Sequence, residues 1–126
     1  MIAFRYLTQF HPPAPFISVT IGRPLEPHAI EHLPARVDSA AGRTVIPQSV
    51  ACALRLEPTN ELQFEGVGGH VESMPIYPVI LTVRGLGPHQ VDAAAHPGET
   101  AVLLGRDVFN RYRVLLDGPN PKLEVT

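Results

Sequence analysis

The chain has 126 residues, with 14 prolines, 10 glycines, 17% charged residues and a formal net charge of −2. That length fits one domain with a buried core, and proline plus glycine at about a fifth of positions exclude long helices and favour an all-β architecture. There is no broad basic field for nucleic acid, no apolar run near the roughly 18 residues that span a bilayer, and no disulfide framework, since Cys52 is the single cysteine.

At the N-terminus nothing has the basic, apolar, small-residue order of a secretory signal, so a cytoplasmic protein is expected. Met1 to Phe10 mixes apolar and polar residues, His11-Pro12-Pro13-Ala14-Pro15 breaks the backbone, and Phe16 to Ile21 reads as a strand ended by Gly22. Two strands joined by a proline-rich turn are expected here. Pro24, Pro27 and Pro34 then punctuate a connection containing His28-Ala29-Ile30-Glu31-His32, whose i, i+4 histidines match the inverted zinc-peptidase motif. That motif needs a stable helix, and prolines bracket this segment, so an exposed loop without metal is expected.

Ala35 to Pro47 describes a strand that turns sharply at Asp38-Ser39-Ala40-Ala41-Gly42, exposes a carboxylate and re-enters the core through the β-branched Thr44-Val45-Ile46. Pro47 to Leu56 is compact enough for a short helix near Pro47 to Leu54, with Cys52 expected as a small buried side chain. Glu61 to Glu65 alternates polar and apolar residues, and Met74 to Val83 resumes strand character after Gly66-Val67-Gly68-Gly69, which describes a hairpin with a glycine-rich tip. No Lys-Ser/Thr pair or helix follows Gly69, so a phosphate-binding loop is not indicated. His89 to Ala95 is weakly strand-like. Ala101 to Leu104 reads as a buried strand leading into Gly105-Arg106-Asp107 and a brief helix through Asn110. Arg111 to Leu116 and Lys122 to Val125 read as two strands around the turn at Asp117 to Pro121.

Three of these stretches, in this order, resemble the motifs of retropepsin-like (retroviral-type) aspartic peptidases: the Asp38-Ser39 turn with its β-branched follow-on, the Gly66-Val67-Gly68-Gly69 tip, and Leu103-Leu104-Gly105-Arg106-Asp107. The resemblance covers roughly Phe16 to Pro119. It departs at Ala40, where the family has glycine. It implies a closed, barrel-like all-β domain, with catalytic residues Asp38, Ser39 and Ala40 and a substrate-binding flap at Gly66, Val67, Gly68 and Gly69. Thr44, Gly105, Arg106 and Asp107 would support the site. Neither cofactor nor metal is implied.

Amide hydrolysis by this chemistry needs two carboxyl groups sharing a proton. The chain has one such turn, so the resemblance implies a homodimer in which Asp38 of each copy meets across a twofold axis and acts on a peptide or protein substrate. Ser39 would brace the partner's loop. Gly42 and Arg43 stand where retroviral enzymes often place acids, which points to acidic peptides. A catalytically inactive dimerisation or peptide-binding module of the same fold is the alternative.

Overall fold

The hydrophobic pattern resolves into ten strands and two short helices in a computed structural model that describes residues 1–126. In chain order these are β1 (Ile2–Arg5), β2 (Phe16–Gly22), β3 (Ala29–Val37), β4 (Val45–Pro47), α1 (Gln48–Ala53), β5 (Asn60–Glu65), β6 (Val71–Val83), β7 (Pro88–His96), β8 (Val102–Leu104), α2 (Arg106–Phe109), β9 (Val114–Asp117) and β10 (Lys122–Val125). The seven-stranded sheet runs β2-β3-β8-β4-β7-β6-β5. Because β2 also pairs with β6, six of these strands close into a barrel, leaving β5 outside it. Alternate residues of β6 (Tyr77, Val79, Leu81, Val83) and β2 (Ile17, Val19, Ile21) fill the interior, as the two-residue side-chain period of a strand requires.

Two prolines lie inside β6, normally a poor place for a residue without an N–H. Pro75 precedes the first pair with β7, at Ile76, and Pro78 falls between the last pair with β5, at Ile76, and the first with β2, at Ile80. Each therefore sits where one edge of the strand is unpaired.

The two strands flanking the proline-rich turn form as expected, and one bridge between Leu7 and Ala14 closes the turn, but β1 itself does not pair with β2. It pairs antiparallel with β10, which pairs with β9, and these form a separate three-stranded sheet. Two expectations are corrected. The His28 to His32 segment is not a loop: β3 takes it up from Ala29, with a register shift against β2 and His32 at φ 59°, so no helical face carries two histidines. Cys52 is exposed, because a helix of six residues turns Val50, Ala51 and Leu54 inward and leaves Cys52 on the opposite side. His89 to Ala95, weak in sequence, is the central strand β7, its alanines at 93–95 buried between neighbours on both sides. No helix is long and apolar enough to cross a membrane.

Candidate active site

The turn after β3 is built from its own side chains. Asp38 Oδ1 accepts the Ala40 N–H at 3.0 Å, and Asp38 O accepts the Ala41 N–H at 3.3 Å, so an Asx-turn and a β-turn close over the same residues. The Asp38 N–H donates to Leu104 O at 3.1 Å, which ties the turn to β8. The second carboxylate oxygen, Oδ2, receives no donor from the chain, and Asp38 is half-buried at the mouth of the turn. Ala40 is exposed and its backbone is not in the left-handed region, so its methyl group brings no strain. Ser39 is exposed too.

β8 lies between the two strands that flank this turn, parallel to β3 (Ala35 with Val102, Val37 with Leu104) and antiparallel to β4 (Val45 with Leu103). Its continuation, Gly105-Arg106-Asp107, braces the turn from below. Arg106 Nη1 donates to Ser39 O at 2.9 Å and Ala40 O at 2.8 Å, and the Arg106 N–H donates to Ala41 O at 2.8 Å. Thr44 is fully buried. It donates from its N–H to Asp107 Oδ2 at 2.9 Å and from its hydroxyl to Asp107 Oδ1 at 2.7 Å, while Thr44 Oγ1 accepts the Gly105 N–H at 3.2 Å. Glycine is required at 105 by close approach: a Cβ there would stand 2.6 Å from Arg43 C and 2.8 Å from Arg43 O.

All seven residues expected for catalysis and support (Asp38, Ser39, Ala40, Thr44, Gly105, Arg106 and Asp107) thus meet in one pair of interlocked loops. The four tip residues stand apart. Gly66 to Gly69 closes the β5–β6 hairpin as a type II turn, with Gly69 N–H to Gly66 O at 3.2 Å, Gly68 at φ 85° and Val67 wholly exposed. No hydrogen bond joins this tip to the Asp38 turn.

Two contacts had no local signal in the sequence. Arg43 Nη1 donates to Asp92 O at 2.8 Å, tethering the guanidinium to β7. His96 Nδ1 accepts the Gly98 N–H at 2.9 Å, which in the neutral ring leaves Nε2–H to donate to Glu72 Oε2 at 2.6 Å, joining the hairpin to the end of β7. Away from the Asp38 turn, His89 hydrogen-bonds the Tyr112 hydroxyl. Burial, reinforced by Arg111, lowers the His89 pKa, and burial raises that of Tyr112 against the opposing effect of Arg111.

Solved structures with this fold include a retropepsin-like aspartic protease from Rickettsia conorii (TM-score 0.65, 12% identity, 98% of this chain and 88% of that one). The retroviral protease-like domain of Ddi1 from Leishmania major matches with TM-score 0.55 and 16% identity over 89% of this chain and 87% of that one. The EIAV protease, complexed with an inhibitor, matches with TM-score 0.54 and 19% identity over 78% of this chain and 86% of that one. At these identities the likeness shows the fold, which is the retropepsin fold. No curated protein matches the sequence. The model of the family described as "gag-polyprotein putative aspartyl protease" matches residues 31–111, well over half the chain and both interlocked loops. On that match, the chain belongs to this gag-type aspartyl protease family.

Proposed function

We propose that the chain is an aspartic endopeptidase that works as a homodimer, with Asp38 of each copy forming the catalytic pair and the Gly66 to Gly69 hairpin closing over the peptide. The observation that carries this reading is the state of Asp38: its loop is braced by Arg106, Thr44 and Asp107, one oxygen is held by the Ala40 N–H, and the other is unengaged. A second copy brings the second acid. The ionised carboxylate takes a proton from water, whose oxygen attacks the scissile carbonyl carbon while the protonated partner donates to the carbonyl oxygen. Proton return to the nitrogen of the tetrahedral intermediate then breaks the C–N bond. Alanine at position 40 supplies the same backbone donor a glycine would, and is compatible with this chemistry.

Asp38→Asn tests the reading, because it keeps shape and removes the shared proton. Cleavage of a peptide library at mildly acidic pH is expected in the natural protein, bell-shaped in pH, and absent from Asp38→Asn at unchanged dimer content. Ala40→Gly should retain or raise the rate. Failure of both the natural protein and Ala40→Gly to cleave, with both dimeric, overturns the enzyme reading.

A further inference from the structure

β1 and β2 begin as a hairpin and then part. Leu7 and Ala14 exchange N–H···O bonds of 2.9 and 3.1 Å, so a continued ladder would set Arg5 against Phe16 and Ala3 against Ser18. Instead the Tyr6 N–H donates to Pro121 O and β1 follows β10, an alternation in which Phe4 faces β10 while the backbone groups of Ala3 and Arg5 point outward. Across the gap Pro15 O is taken by the Val37 N–H, so the Phe16 backbone faces the same opening, and Ser18 O accepts the Arg84 N–H just where β6 ends. The outward groups of Ala3, Arg5 and Phe16 have no backbone partner. This is the vacant place of a strand between two open edges.

The opening is a cleft of about 370 Å³ whose lining includes Phe4, Arg5, Leu7, Phe16, His32 and Arg84, and no carboxylate. The Arg84 guanidinium lies over the Phe4 ring at 4.9 Å, and neither Arg5 nor Arg84 belongs to an ion pair. An adjoining cleft of about 580 Å³ shares Phe4 and Arg5 and adds Lys122, the register partner of Arg5, whose charge is taken by Glu124 at 3.5 Å, so the free positive charge is that of Arg5 and Arg84. In a chain of net charge −2 this is a local concentration of positive charge beside an apolar floor.

We propose that this cleft binds an extended, acidic peptide segment of a protein partner. The segment adds as a strand to the outer edge of β1 through Ala3 and Arg5, sets acidic side chains against Arg5 and Arg84, and rests apolar ones on Phe4, Leu7 and Phe16. The site does not depend on the chemistry at Asp38.

The probe is a fluorescein-labelled hexapeptide alternating glutamate and valine, titrated by anisotropy into the full chain carrying Asp38→Asn, so that cleavage plays no part. Ala3→Pro removes an N–H the β10 ladder does not use, and so blocks strand addition while leaving the fold's own bonds. The expected result is binding that weakens with salt, is absent for the lysine–valine counterpart, and loses at least about tenfold in Kd both in Ala3→Pro and in Arg5→Glu/Arg84→Glu. The Arg5 and Phe16 amide resonances should shift on titration. Equal binding of the lysine peptide, an unchanged Kd in either variant, or dimer dissociation by Ala3→Pro without peptide binding, which would give the slot to a second copy, overturns the proposal.

Discussion

Thr44→Val is the sharpest test of how the candidate site is held. Valine reproduces the shape of threonine, so no cavity opens, and what is lost is one hydroxyl that donates to Asp107 Oδ1 at 2.7 Å and accepts the Gly105 N–H at 3.2 Å. The Gly105 N–H is left buried and unpartnered, at a cost of about 1–3 kcal/mol. Asp107 keeps the Thr44 N–H on Oδ2 at 2.9 Å and is half-buried, so its loss is smaller, about 1 kcal/mol. Together these give about 2–4 kcal/mol, or a fall in Tm of roughly 10 °C for a chain of this size. Urea denaturation at fixed protein concentration measures it, since dimerisation would couple stability to concentration. Thr44→Ser should recover most of the loss. A Thr44→Val change below about 1 kcal/mol would refute the view that this hydroxyl locks the two loops.

Gly105→Ala should be worse for its size than any surface change: with 2.6 Å to Arg43 C the backbone must move, at about 1–3 kcal/mol or more, and the proposed peptidase activity should fall because the displaced segment carries Arg106. Unchanged melting and rate would contradict the close approach. His89 makes stability depend on pH. Its folded pKa lies below its ordinary 6.5, so the unfolded chain binds the proton more readily; stability is full above about 6.5 and falls as the solution is acidified through the lowered value. His89→Gln should flatten urea midpoints measured from pH 8 to 5. Tyr112 acts at the other extreme: its raised pKa means that stability present below about pH 10 is lost as pH rises above it. Finally, His96→Ala should speed hydrogen exchange of the Gly66 and Gly69 amides, since it cuts the 2.6 Å tie from Glu72 to the end of β7, and an exchange rate equal to that of the natural protein would show that the hairpin stands without it.

Much of the site was legible because its bonds are short-range or motif-borne. The Asp38 turn closes through i→i+2 and i→i+3 hydrogen bonds, which an acid followed by small residues makes wherever it falls. The glycine tip likewise needs φ above zero at Gly68 and Gly69, and glycines stand there. Thr44 and Asp107, though named in sequence through the family resemblance, acquire their roles only when β8 slides between β3 and β4 and brings together residues 63 apart.

What the sequence determined alone is therefore the set of local conformations: the extended runs, the short helix after Pro47, the acid-bearing turn and the hairpin tip. Which strand pairs with which was left to the tertiary structure, because each extended segment has two edges and no residue within it names its neighbour. β1 could have continued its hairpin with β2 and instead joins β10, opening the cleft at Arg5 and Arg84. The His28 to His32 segment holds helical spacing in sequence, yet becomes strand from Ala29, because pairing of Ala29 and Ile30 with β2 outweighs local preference once the barrel closes. The bonds from Arg43 to Asp92 and from His96 to Glu72 span 49 and 24 residues, and follow from the pairing of β7 with β4 and β6 rather than from any motif.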